Sequence, residues 1–397
     1  MESGLFARRN EAIDMLRGLT MLLMVFVNDL WTISGVPHFL EHFDVSEDGM
    51  GVSDIVFPMF LFAMGMSVPY AIERRFSKGY SGESTLGHIL LRTLALLLMG
   101  VFIVNSEGAM TSTIGYGVNA YKILMVLSFF LLWNAYPAGM KYRRLLQVAG
   151  AAILIFLAVT FRTPEGGFLR SRWWGILGLI GWAYCFCGVM YMLARKRPSS
   201  VFLVWLALIV VNMLLTATRG GSRIVAGPSF IGDMADALHV GNGSSAIMAV
   251  GGMLVSLAEK TLSSRKGTVL AACSGVVAVL LVVSAAVSHR WWIICKPIGT
   301  LPWCLYVSAI SLAVYTILRI LESYGRTSWF NPIKSSGTAT LTVYMMPYLL
   351  YSFSGIIGIQ TPDCLDGIQG LLKCVFFSLL CVFLTGLLAK VGVRLKI

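Results

Sequence analysis

The chain has 397 residues, 57% of them hydrophobic and only 13% charged, against about a quarter charged in soluble domains. A soluble core cannot hide that much apolar surface, whereas a bilayer accepts it. The formal charge of +12 does not mark a nucleic-acid binder, because Lys and Arg come in small clusters between apolar blocks and not along one basic face.

A transmembrane helix needs about 20 mostly apolar residues. Twelve stretches qualify: 18–34, 54–72, 87–104, 118–137, 146–162, 174–193, 200–216, 243–259, 268–287, 301–321, 337–355 and 370–389. They are spread evenly with no long polar linker, so one all-α, polytopic membrane bundle over residues 1–397 is expected. The first stretch is followed by no small-residue cleavage site and reads as a retained helix. Stretches 174–193 and 200–216, separated by a short basic turn, read as a helical hairpin.

Basic residues set the orientation. Arg8, Arg9, Arg17, Arg74, Arg75, Lys78, Lys141, Arg143, Arg144, Arg195, Lys196, Arg197, Lys260, Arg265, Lys266, Arg326, Lys334, Arg394 and Lys396 fall on one side. The opposite side holds fewer, chiefly Arg162, Arg170, Arg172, Arg219, Arg223, Arg290 and Lys296. The positive-inside rule then places both termini in the cytoplasm. The longer outer loops, 35–53 and 217–242, are rich in Gly, Asp, Glu, Ser and His, which suits handling of a hydrophilic molecule and equally suits plain solvated connections.

Of eight cysteines, Cys185, Cys187, Cys273, Cys304, Cys374 and Cys381 lie inside apolar stretches and read as small packing residues. Cys295 and Cys364 fall near outer loops, where a disulfide is an option that spacing cannot fix. No spacing resembles a metal site.

The loop after the first stretch holds the richest chemistry: Asn28 and Asp29, then His38, Glu41, His42, Asp44, Glu47 and Asp48, then Asp54. Histidine is the default general base near neutral pH, and a nearby carboxylate orients its ring. A histidine in an acidic loop is also an ordinary surface residue. Asn28 reads equally as a helix cap, and Asp54 as an N-terminal charge favoured by the helix dipole. Arg17, Arg92 and Lys122 sit at or within apolar stretches and need a partner, an anionic ligand or a route to the lipid headgroups. The run Lys334-Ser335-Ser336-Gly337-Thr338 offers small and hydroxyl residues for an anion but lacks the P-loop pattern, which excludes an ATPase reading. His88 and His289 read as boundary residues, and His239 as an acceptor contact.

Two segments carry a resemblance. Ile13-Asp14-Met15-Leu16-Arg17-Gly18 with Met24-Val25-Phe26-Val27-Asn28, and Gly51-Val52-Ser53-Asp54-Ile55-Val56-Phe57-Pro58 continuing to Gly65, resemble the start of the heparan-α-glucosaminide N-acetyltransferase family. Weaker echoes run from Arg92 to Asn105, through Gly117-Val118 and Tyr121-Lys122, from Lys296 to Trp303, and from Gly337 to Pro347. The resemblance implies a membrane acetyltransferase that takes acetyl-CoA from the cytoplasm and acetylates an amino sugar, a glucosamine-like saccharide, across the bilayer. It implies His42 as the catalytic histidine, with Asn28 beside it and Asp54 ordering the ring or loop. Arg17, Arg92, Lys334 and Lys122 would then face the phosphates of acetyl-CoA.

There are departures. The interval from His42 to Asp54 is longer than the family's, the tryptophan-asparagine-glycine after the histidine is missing, and Lys122 stands in place of arginine. His38 therefore stays a rival to His42, and the hairpin exceeds the family's helix count. The reading implies a bacterial inner membrane, the bilayer as a partner and no nucleic acid; oligomeric state is unset, a homodimer being one option. The alternative is a twelve-helix solute transporter, against which stand the absence of an internal repeat and the position of the polar cluster in an outer loop.

Overall fold

The computed structural model describes residues 10–107, 114–137, 139–171, 173, 175–195, 197–224, 230–262, 267–359, 362 and 365–397. Cys364 lies outside them, as do Arg8, Arg9, Arg172, Lys196, Arg265 and Lys266; Cys295 is a buried, free thiol. Among the described residues the chain forms fourteen α-helices, and the only strand-like pairings are two isolated bridges. The helices are α1 Glu11–Asp29, α2 Val52–Ser77, α3 Gly82–Glu107, α4 Val118–Trp133, α5 Arg143–Thr160, α6 Ile176–Ala194 and α7 Pro198–Leu215. They continue with α8 Phe230–Ala237, α9 Ser244–Leu262, α10 Gly267–Ser288, α11 Leu301–Ser323, α12 Lys334–Thr338, α13 Thr340–Ile357 and α14 Gly367–Lys390.

Ten of the described helices are long and apolar enough to cross a membrane. The expected stretches 18–34 and 118–137 also form helices, but differently. Helix α1 starts seven residues earlier, on a polar first turn carrying Glu11 and Asp14, and gives way after Asp29 to a 3-10 turn, Leu30–Thr32. Helix α4 is apolar but only 16 residues long. The expected helix 337–355 is divided in two at Ala339, whose backbone (φ −130°, ψ 43°) leaves the α region.

Packing groups the residues into two compact units. The first comprises residues up to Thr20, Pro37–Thr93 and Ile180–Asn331, and the second Met21–Val36, Leu94–Leu179 and Pro332–Ile397. In the first unit, α9 packs along α2, and α11 packs along α10 and touches α2, α7 and α9. Helices α2 and α9 meet on glycines: a Cβ on Gly65 would overlap the Ala249 carbonyl, and one on Gly252 the Phe62 carbonyl. Small residues let membrane helices approach this closely, where dispersion replaces the hydrophobic effect as the driving force. Ser256 Oγ adds a hydrogen bond to Met66 O at 2.9 Å. Gly65→Val is therefore expected to push the helices apart at a cost of about 1–3 kcal/mol, measurable as a lower thermal midpoint in detergent; an unchanged midpoint would contradict the close crossing.

By contrast, only 6% of the apolar window of α10, and 17% of those of α5 and α7, is buried by protein. Such nearly uncovered apolar surfaces suit lipid. In the second unit α13 packs against α4 and α14, and α5 lies along α4.

Candidate active site

In the first unit the loop before α2 folds back onto that helix. Gly51 makes this return feasible, since a Cβ there would strike the Glu41 carbonyl. Asp54, in the first turn of α2 and 1% exposed, organises the loop. Its Oδ2 accepts from the backbone N–H of Gly51 (3.0 Å) and Phe43 (3.1 Å). Its Oδ1 lies 2.7 Å from His42 Nδ1. The capping and the functional readings of Asp54 therefore coincide: one carboxylate satisfies free amides at the helix start and holds an imidazole.

His42 is half exposed, with 55% of its side chain accessible, while its Nδ1 is fixed against the buried carboxylate. An ionised carboxylate can only accept, so Nδ1 carries the proton in this contact and Nε2 is left with its lone pair. No protein group among the described residues is bonded to Nε2. An oriented imidazole with its free nitrogen towards solvent is the arrangement of a general base. His38, the rival, lies 3.1 Å from Glu47 and 3.6 Å from Glu41, stacks on Phe43 and is 57% exposed. It touches no buried carboxylate.

Sequence reasoning gave Lys296 no catalytic role, yet its Nζ comes within 3.1 Å of His42 Nδ1, 3.5 Å of Asp54 Oδ1 and 3.2 Å of Ser53 O. Because Nδ1 is already a donor, the ammonium bonds to Ser53 O and balances the Asp54 charge. Burial pushes the Lys296 amine below the ordinary lysine value, and Asp54, by charge and hydrogen bond, pulls the other way. The turn that presents Lys296 is built for the purpose. Buried Thr300 donates to Ile293 O (2.7 Å) and accepts from the Cys295 N–H (3.1 Å). Asn212 on α7 donates to Gly299 O (2.8 Å), and Asn242 to Ile298 O (2.5 Å). Trp303 Nε1 donates to Asp54 O at 3.2 Å, tying α11 to the start of α2.

A second carboxylate secures the same loop. Asp48 accepts from Ile294 N–H (2.8 Å) and Arg219 Nη2 (2.6 Å), and its Oδ1 is 2.8 Å from His289 Nε2. Gly49 N–H donates back to Ile294 O at 2.9 Å. His289, expected only as a boundary residue, is thus part of the clasp that holds the two loops together. Burial opposes ionisation of Asp48, but the Ile294 amide and then His289 and Arg219 outweigh it and hold the carboxyl below its usual value.

A depressed folded pKa contributes stability above the unfolded value, about 3.9, and loses it as pH falls through the folded one. Asp48→Asn should therefore flatten the fall in thermal stability below about pH 4. Identical acid limbs in wild type and variant would remove Asp48 from the acid response.

The other expected site residues distribute as follows. Arg17, in the first unit, pairs with Asp14 at 3.7 Å. Arg92, also in the first unit, stacks over Tyr184 at 4.7 Å, and its buried Nε has no hydrogen-bond partner. Asn28, Lys122 and Lys334 belong to the second unit. Asn28 is exposed at the end of α1, and its neighbour Asp29 is the buried residue, 0% exposed. Asp29 accepts from Tyr351 OH (2.5 Å) and from Lys373 Nζ (2.9 Å and 3.0 Å), while Lys373 also reaches Thr32 Oγ1 at 2.6 Å.

Lys122 is partly buried in α4, with Glu107 the charge that acts on it. Lys334 is exposed at the start of α12. The hydroxyls after it bond to backbone carbonyls, Ser335 to Val382 O, Ser336 to Ile333 O and Thr338 to Lys334 O. His239 stacks on Trp182, with ring centroids 3.8 Å apart. Among the described residues no group of His, Cys, Asp and Glu is placed to hold a metal ion.

Fold and site define a polytopic helical membrane protein with a carboxylate-oriented histidine in a loop outside the helices. The chain belongs to the family described as "Domain of unknown function (DUF5009)", which matches residues 9–222. It is also a relative of heparan-alpha-glucosaminide N-acetyltransferase, being 38% identical over 99 residues to the protein of Mus musculus and 36% identical over 97 residues to that of Homo sapiens. Those matches cover 25% and 24% of this chain, and only 14% of the length of each relative.

Proposed function

We propose that the protein is a membrane acyltransferase that moves an acetyl group from acetyl-CoA to the amine or hydroxyl of a saccharide, a glucosamine-like amino sugar in the first instance. The observation that carries this reading is the His42–Asp54 pair, with Nδ1 held at 2.7 Å and Nε2 free. The similarity to N-acetyltransferases supports the reaction class.

In the proposed reaction His42 Nε2 takes the proton of the acceptor as its nitrogen or oxygen attacks the thioester carbonyl. The new C–N or C–O bond forms, the C–S bond breaks, and the departing CoA thiolate recovers the proton from the imidazolium. Asp54 stabilises that imidazolium, and Lys296 keeps the Asp54 carboxylate charge-balanced in its buried setting. A route through an acetyl-His42 intermediate uses the same Nε2. Arg17 and Arg92, both in the first unit with His42, are proposed to face the phosphates of acetyl-CoA. Arg92 has the stronger support of the two, since its buried Nε lacks a partner.

The distribution of Lys and Arg between the helices supports cytoplasmic termini; the acyltransferase reading adds a donor entering from the cytoplasm of a bacterial inner membrane and an acceptor on the periplasmic side. Radiolabelled acetyl-CoA supplied to the purified protein with glucosamine tests the reading. Acetylated sugar is the expected product. Failure to consume acetyl-CoA with glucosamine and a panel of other amino sugars would overturn it.

A further inference from the structure

Near the turn between α2 and α3, the first unit gathers three basic side chains that form no ion pair among the described residues. Ser84, His88 and Arg92 recur every fourth residue of α3 and so lie along one face. Arg75, in the last turn of α2, reaches back to that face. Its Nη2 donates to Ser84 O at 3.2 Å and lies 3.4 Å from Ser84 Oγ, with its guanidinium 4.4 Å over the Tyr80 ring. The Arg92 guanidinium carbon lies 4.7 Å from the centroid of the Tyr184 ring on α6. Arg75 and Arg92 are the two charges that act on His88.

The Nε atoms of both arginines are buried without a hydrogen-bond partner, and neither forms an ion pair among the described residues. Glu73, two residues before Arg75 on α2, is already committed: it accepts from Tyr191 OH at 2.9 Å and pairs with Arg195 Nε at 3.2 Å. Buried guanidinium donors left unmatched are costly, the more so in a protein surrounded by hydrocarbon. Aromatic rings 4.4 Å and 4.7 Å from the guanidinium carbons help hold both groups in place, which leaves their unpaired Nε donors to a ligand.

We propose that Arg75, His88 and Arg92 form a binding site for the anion of a phosphate ester. The guanidinium fork matches two phosphate oxygens, and His88 adds a third donor through a ring N–H. Two sources carry this chemistry: the phosphates of the nucleotide-type acyl donor, or the headgroup of an anionic phospholipid. The first rests on the acyltransferase reading, with which the site shares Arg92; the second does not.

Arg75→Gln is the decisive variant. Wild type and variant, purified and delipidated, are compared for two ligands: coenzyme A, by thermal shift, and phosphatidylglycerol against phosphatidylcholine in nanodiscs, by native mass spectrometry and thermal midpoint. Loss of one charge-assisted contact should weaken one of these ligands by about 10-fold or more. Weakened coenzyme A identifies the donor phosphates, whereas a lost preference for phosphatidylglycerol identifies a lipid headgroup. Binding of phosphatidylglycerol without any binding of coenzyme A by wild type would sink the acyltransferase reading and leave the anion site standing. Unchanged binding of both ligands in Arg75→Gln overturns the site. Should that variant fail to fold, Arg92→Gln is read by the same criteria.

Discussion

Asp54→Asn is expected to lower acetyl transfer by roughly 10²- to 10⁴-fold while leaving the fold and donor binding in place. The reason is a tautomer. Asp54 accepts from His42 Nδ1–H with one oxygen and from the Gly51 and Phe43 amides with the other. An asparagine keeps its carbonyl oxygen on the amides, because they can only donate. Its NH2 group is thereby turned to Nδ1, which must then accept, so the ring proton moves to Nε2 and the base is lost. The N-terminal turn of α2 stays capped, so the fold should survive the loss of turnover, with a thermal midpoint lowered by the loss of the Asp54 charge beside Lys296. Full activity in Asp54→Asn would show that the pair orients a loop and not a base.

The largest expected effect on stability lies at the other end of the same helices. Glu259 on α9 is 3% exposed and meets Arg319 Nε of α11 at 2.7 Å and Tyr315 OH at 2.6 Å. Asn10 completes the cluster, reaching Glu259, Tyr315 and Tyr70 of α2 at 3.1–3.4 Å. Arg319 in turn binds Glu322 at 2.7 Å, and Glu322 accepts the Glu11 N–H at the start of α1. Arg319→Met removes the charge that compensates a buried carboxylate, which costs about 3–5 kcal/mol. The double variant Arg319→Met with Glu259→Gln removes the uncompensated charge at Glu259, leaving only the more exposed Glu322 carboxylate without its cation, and should recover a large part of that loss. Thermal unfolding in detergent compares the three; a double variant no more stable than Arg319→Met would contradict a charge-pair origin.

The helices were legible in the sequence because lipid demands long apolar runs, and the expected stretches are helical apart from the break at Ala339. Boundaries were less legible where a polar turn joins an apolar run. Helix α1 begins at Glu11 because Glu11, Asp14 and Arg17 find partners there, which a hydropathy window cannot register. The division at Ala339 leaves no mark in hydropathy either.

Within the site, His42 and Asp54 were within reach of sequence reasoning because they are twelve residues apart on one loop and the adjoining helix start. Lys296 was not, since its partner Ser53 is 243 residues away. Asp48 with Arg219 and His289, and Asp29 with Lys373, are contacts of the same long-range kind. A useful signal was available for Asp29 all the same: a carboxylate at the end of an apolar helix implies a cation, and Lys373 is the lysine inside the last apolar stretch.

The central claim is that His42 is the base of an acetyl transfer. The direct measurement is a side-by-side assay of wild type and His42→Ala in proteoliposomes, with labelled acetyl-CoA as donor and glucosamine as acceptor, together with acetyl-CoA binding to each. The account predicts acetylated sugar from wild type, a loss of at least about 10²-fold in His42→Ala, and donor binding retained in both. Equal turnover by the two proteins, or no donor binding by wild type, would contradict it.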